Sequence, residues 1–390
     1  MIYFDNNATT RVFDCVLDAM LPFFTDRYAN SSSAIAQFCG IPQTLNLAKA
    51  RICKALGVET TDQLLITSGA TESNNLSIFG AAKANPQRRH IIASAIEHPS
   101  VLEIIEALRT NGYRISLLPT NSDGVVELDA LAGLLASDTL LVSVMSANNE
   151  TGVIQPVSEL AKIVKETNPS VLFHTDATQA VGKIEINLSG DLSCVDLLSF
   201  SAHKFHGPKG TGALYIRNMD QVSPLFYGGG QQAGMRPGTE NPAGVVGMAA
   251  AIAKVLTFSC APKTMLELRA RIEKGVFDIH PSAFVLGAAV ERLPSTTNIC
   301  LPGIQAEALV DQLAVQGIAI STGSACSYGA QSPSHVAIAQ GLSYEKAKSC
   351  VRLSLSVEST ENEVNLFLEA FPKALSVLAT NSNVSKEVFS

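Results

Sequence analysis

The sequence predicts an α/β protein: a large domain on a mostly parallel seven-stranded sheet, followed by a smaller α+β domain. Three observations lead there. Short apolar runs alternate with longer helical patterns through residues 64–216. The runs show little polar alternation, as strands buried on both faces do. Near Pro262 the alternation stops, and a long helical pattern with more widely spaced strands takes over.

Taken in order, the strands fall at 64–67, 90–93, 114–118, 140–144, 171–174, 197–200 and 212–216, with helices over 72–84, 100–110, 128–136 and 157–166. After a helical pattern that ends near Cys260, a helix is expected over 263–278 and strands near 296–301 and 350–355. The expected division is a large domain over 12–260 and a small one made of 1–11 and 261–390. The polar tail from Thr380 is expected to fray. Ligands of parallel sheets gather at the carboxyl ends of strands, so the residues just after each run carry the information.

The bulk properties narrow the function. With 390 residues and 46% hydrophobic content, the chain can bury a large core. Charged residues are 16% and the net charge is −7 with no basic block, which argues against nucleic acid as a direct partner. Met1–Asn7 shows no basic region followed by an apolar run, and the apolar stretch 245–256 is broken by Gly247 and Lys254. A cytoplasmic protein with no membrane association is therefore expected. The eight cysteines form no C-x-x-C pair and read mostly as reduced, buried side chains. His203 and His206 lack partners at zinc-ligand spacing, so no metal is expected.

Three segments could carry chemistry. Ser68-Gly69-Ala70-Thr71-Glu72 follows a strand and opens a helix, leaving bare N–H groups and the Thr71 hydroxyl to meet an anion. Asp176, in His174-Thr175-Asp176-Ala177-Thr178-Gln179, either caps the next helix or pairs with a buried cation. Lys204, in Ser201-Ala202-His203-Lys204-Phe205-His206-Gly207, is either a surface loop lysine or a desolvated amine able to attack a carbonyl. Together, a phosphate cradle, a carboxylate and a loop lysine, each after a different strand, match the needs of pyridoxal 5′-phosphate (PLP). Two more residues stand out. His98 precedes Pro99 at a helix start and has a ring suited to stacking and proton transfer. Cys326, in Ser321-Thr322-Gly323-Ser324-Ala325-Cys326-Ser327-Tyr328-Gly329, is surrounded by turn-forming residues and is expected on an exposed, mobile loop. Cys350 beside Arg352 reads as buried instead.

At this point the sequence resembles the cysteine desulfurases of the NifS/IscS type, within the fold-type I PLP enzymes. The resemblance runs over Asp5–Thr10, Thr67–Asn75, Glu97-His98, Asn148–Gly152, Asp176–Gly182, Ser199–Gly212, Arg236–Asn241, Ser321–Cys326 and Arg352. It implies that Lys204 binds PLP, Asp176 pairs with the pyridine nitrogen, and His98 stacks on the ring. Gln179 and Asn149 would contact the ring oxygen or the substrate. Ala70, Thr71, Ser201 and His203 would hold the phosphate, and Thr239 would reach the phosphate of a neighbouring subunit, implying a homodimer. Arg352 would bind the substrate carboxylate, and Cys326 would be the nucleophile. The implied activity converts L-cysteine to L-alanine and passes the sulfur, as a Cys326 persulfide, to an acceptor protein such as an iron–sulfur scaffold or sulfur carrier. The alternatives are another fold-type I enzyme, such as a selenocysteine lyase or class V aminotransferase, and a catalytically idle scaffold. The chain departs from the family at Ala29–Ser33, where Ile35 stands in place of a frequent histidine, and at Ser356-Val357.

Overall fold

The computed structural model describes residues 1–258, 261–323 and 333–388, with side chains described through residue 379. Cys260 and Cys326 lie outside the described residues. The strands are β1 (Ile2–Tyr3), β2 (Leu64–Thr67), β3 (His90–Ser94), β4 (Arg114–Leu118), β5 (Thr139–Ser143), β6 (Leu172–Asp176), β7 (Leu197–Ser201), β8 (Gly212–Ile216), β9 (Phe284–Val285), β10 (Thr296–Cys300), β11 (Ile318–Ala319) and β12 (Cys350–Ser354).

The seven apolar runs form one sheet in the order β2-β8-β7-β6-β5-β3-β4. The pairs β7–β6, β6–β5, β5–β3 and β3–β4 are parallel, while β8 runs antiparallel to both its neighbours. Reversing at β8 and again at β2 leaves β2 parallel to β7. The carboxyl ends of β2, β7, β6, β5 and β3 therefore share one edge of the sheet, where a ligand site is favoured. Strands β3, β5, β6, β7 and β8 are buried along their whole length. β4 departs from that expectation. As an edge strand it leaves Arg114 and Leu117 exposed.

The helices expected between the strands form as Ala70–Ala84, Pro99–Thr110, Leu128–Leu134 and Val157–Thr167. They cover the sheet with two apolar layers, one centred on Ile92, Val142, Phe173 and Phe200, the other on Ile91, Leu141, Leu172 and Leu214. A separate apolar cluster joins Phe4 to Leu268, Ile299, Leu353 and Phe367. There β10 pairs antiparallel with β12 and β9, and β1 pairs parallel with β11. The chain start is thus stitched to the C-terminal part before it turns toward the sheet. Pro262 lies in the first turn of the helix Ala261–Ile279. The last helix, Glu361–Val388, continues past Thr380, where the sequence suggests fraying.

Candidate active site

One cavity of about 250 Å³ opens at the shared strand edge. Each wall follows from a local rule. β2 ends at Thr67, and the helix Ala70–Ala84 begins just beyond it, so its first N–H groups have no partner within the helix. Ala70 N donates to Ser201 Oγ at 2.7 Å, joining this helix start to the end of β7. Gly212 makes the approach possible. A Cβ there would lie 2.5 Å from the Phe200 carbonyl oxygen and 2.6 Å from Gly69 Cα. Ala70, Thr71, Ser201 and His203 all line the cavity. Burial, reinforced by the charges of Lys204 and Lys209, lowers the His203 pKa to about 4, so its ring is neutral.

Lys204 ends the short turn Ala202–Lys204 that follows β7. It is no surface lysine. Its Nζ donates to the carbonyl oxygens of Asn7 at 2.6 Å and Ala8 at 2.8 Å. The same Asn7 carbonyl accepts from Gln179 Nε2 at 2.9 Å. Sequence reasoning did not single out Asn7 or Lys183, whose Nζ donates to Gln179 Oε1 at 2.6 Å and Asn7 Oδ1 at 3.0 Å. Asn7 does belong to the motif Asp5–Thr10. Nothing local shows that it meets a lysine 197 positions away.

Asp176 closes β6 as a buried carboxylate. Its Oδ1 accepts from Thr178 N at 2.9 Å, and its Oδ2 from Asn74 Nδ2 at 2.8 Å. Asn74 also donates to Ser100 Oγ at 2.9 Å, and Ser100 Oγ lies 2.9 Å from His98 Nδ1. Asp176 and His98 are therefore linked through Asn74 and Ser100, two further residues the sequence did not isolate. Burial lowers the His98 pKa, while Asp176 raises it and Lys204 and His335 lower it. Beside it, burial pushes the Glu97 carboxyl up to about 8, although Ser94 and Met145 N donate to its Oε1.

Arg352, on β12, is 1% exposed. It pairs with Asp5 at 2.5 Å and donates to the Asn149 carbonyl at 3.0 Å. Its buried Nε has no partner among the described residues. Arg352, Asn149, Gln179, Asp176 and His98 line the same cavity as Lys204. Thr239 does not. It lines a neighbouring cavity with Lys49, Ser68 and Arg236. Cys350 is buried, as expected, opposite Cys300.

The residues fit PLP. The helix start at Ala70 and Thr71, joined to Ser201, lines the cavity together with His203, Asp176 offers a carboxylate, and Lys204 offers the amine. The orphaned Nε of Arg352, a residue of the same cavity, leaves a donor for a carboxylate.

Comparisons with known proteins agree. Residues 2–367 match the family model described as aminotransferase class-V. The chain is 41% identical to the cysteine desulfurase NifS of Azotobacter vinelandii, over 98% of this chain and 94% of that protein. It is 40% identical to a cysteine desulfurase IscS of Clostridium botulinum, over 96% and 94%. A solved structure titled NifS-like protein superposes with a TM-score of 0.90 at 39% identity, covering 96% of this chain and 99% of that one. The chain belongs to the class-V aminotransferase family of PLP-dependent enzymes, and within it to the cysteine desulfurases of the NifS/IscS type.

Proposed function

We propose that this protein converts L-cysteine to L-alanine and delivers the sulfur from Cys326 to an acceptor protein. The observation that carries the reading is the single cavity holding Lys204, Asp176, His98, Gln179 and Arg352 beside the Ala70–Ser201 corner. PLP, when bound, supplies an electrophilic carbon for the substrate amine and a ring that accepts the electrons freed at Cα.

The chain's own residues do the rest. Arg352 binds the substrate carboxylate through its guanidinium fork. Asp176 holds a proton on the ring nitrogen, while Ala70, Thr71, Ser201 and His203 take the phosphate. Gln179 and Asn149 orient the ring oxygen and the substrate. Lys204, which would hold PLP in the resting protein, would take the proton from the substrate Cα. The Cys326 thiolate then takes the substrate sulfur, so that cysteine and the Cys326 thiol become alanine and a Cys326 persulfide. The persulfide passes on to an iron–sulfur scaffold or a sulfur carrier.

The reading includes a homodimer. Leu17, Leu21, Phe24, Tyr28, Ile35 and Phe38 are exposed near the chain start, an apolar surface that suits a second copy. Thr239 lines a cavity other than its own chain's Lys204 cavity, which supports the reading that it reaches the phosphate of a partner subunit. It also includes the division into 12–260 and 1–11 with 261–390, and a cytoplasmic setting, which suits the free thiols of all six described cysteines. No helix among the described residues is long and apolar enough to cross a membrane. The test is to supply L-cysteine with a reductant and measure alanine and sulfide. Equal amounts of both support the reading. Turnover only with a keto-acid acceptor would replace it with aminotransfer.

A further inference from the structure

Lys183 is a second amine, held on the cavity residues Asn7 and Gln179, and the reaction above gives it no task. Its Nζ donates to Asn7 Oδ1 and Gln179 Oε1. Both oxygens are identified independently. Asn7 Nδ2 donates to the Asn149 carbonyl at 3.1 Å and Gln179 Nε2 to the Asn7 carbonyl, so each amide must turn its oxygen toward Lys183. The Asn7 carbonyl is also the acceptor for Lys204 Nζ. Two amines are therefore held on one asparagine, Lys183 on its side chain and Lys204 on its main chain.

Resting on the assignment of Lys204 above, we infer that Lys183 is a positioning residue that fixes Asn7 and Gln179 as the seat of the Lys204 amine and disfavours a proton on that amine. Burial holds Lys183 well below the usual lysine range, and the charges of Lys204 and Arg352 add to this. The remaining groups around it are consistent. Arg352 is paired with Asp5, and His203 and His206 are neutral, so Lys204 is the amine with which Lys183 competes for a proton. Protonating either disfavours the other. The bond to Lys183 also polarises the Gln179 amide, strengthening its N–H groups as donors. Both effects act in one direction. Without Lys183, the nitrogen of Lys204 holds its proton to higher pH.

The test is a pH titration of the visible absorption of PLP-loaded protein, comparing the natural chain with Lys183→Met and Lys183→Arg. The midpoint should rise by more than about half a pH unit in Lys183→Met and stay at or fall below its natural value in Lys183→Arg, whose guanidinium keeps its charge. If Lys183→Met does not hold the cofactor, Lys183→Gln takes its place with the same expectation. A smaller or downward shift in Lys183→Met, or a rise in Lys183→Arg, overturns the inference. Borohydride reduction and peptide mapping of the same samples separate the two readings. Cofactor found on another lysine defeats the Lys204 assignment itself, whereas cofactor on Lys204 with an unmoved midpoint defeats only the role of Lys183.

Discussion

His98 Nδ1 accepts the backbone N–H of Ser100 at 3.0 Å, so this histidine is the N-cap of the helix Pro99–Thr110. A backbone N–H can only donate, and the neutral ring must therefore carry its proton on Nε2. His98 presents an N–H donor to the cavity, and burial, which disfavours the charged ring, keeps it so. An asparagine oxygen can replace Nδ1 as the cap but supplies no Nε2 donor. His98→Asn should unfold within about 0.5 kcal/mol of the natural chain yet lose at least about tenfold in turnover with cysteine. His98→Ala should lose both turnover and about 1 kcal/mol of stability. Single-turnover rates and thermal unfolding check this, and natural turnover in His98→Asn would reduce His98 to a cap.

Glu97 gives a pH dependence with a definite sign. Burial pushes its folded pKa up to about 8, above the 4.5 of a free glutamate side chain. The stability it contributes is complete below pH 4.5 and is lost as the pH rises toward 8. Glu97→Gln keeps the acceptor for Ser94 and Met145 N without that loss. The unfolding temperature of Glu97→Gln relative to the natural chain should therefore climb between pH 5 and pH 8.5. His90, His174, His203 and His206, lowered to about 4 by burial, act the other way, costing stability as pH falls below 6.5. They are common to both proteins and cancel in the difference. A pH-independent difference would show that Glu97 is ionised in the fold.

Arg352 serves two partners. Removing it should weaken cysteine binding at least about tenfold and leave Asp5 without its buried counter-ion, at a cost of about 3–5 kcal/mol. Adding Asp5→Asn to Arg352→Ala should recover stability but not affinity. Spectral titration with cysteine and thermal unfolding of the single and double variants separate the effects. Unchanged affinity for cysteine in Arg352→Ala would reject the carboxylate-binding role.

The sheet was legible because its strands are buried on both faces and read as unbroken apolar runs between helical patterns. β4 was the exception, since an edge strand can expose residues that its composition marks as buried. Lys204, Asp176 and the Ala70–Thr71 turn were legible because each directly follows a strand. Asn7, Asn74, Ser100 and Lys183 were not. They act through side chains that meet across 26 to 176 positions, and polar residues in a helix or at a chain start carry no periodic signal. Arg352 entered only through the family resemblance, because its burial depends on the pairing of β12 with β10 and on Asp5 from the far end of the chain.

The last prediction concerns Cys326, which the sequence sets among turn residues and the family resemblance marks as nucleophile. Cys300 on β10 and Cys350 on β12 are buried register partners. The hydrogen bond with the neighbouring Cys300 thiol, and burial after it, push the Cys350 pKa up, which keeps it protonated and a poor nucleophile. Sulfur chemistry and cofactor chemistry should therefore separate. Cys326→Ser should retain the visible absorption of bound PLP and still change its spectrum on adding cysteine, because Lys204, Asp176 and Arg352 remain. It should form no protein persulfide and release no alanine beyond one turnover. Cys350→Ser should keep both activities. Mass spectrometry after a short cysteine pulse decides the matter. A persulfide on Cys326 in the natural chain and none in Cys326→Ser supports the division of labour, whereas a persulfide on Cys350, or on no cysteine, refutes it.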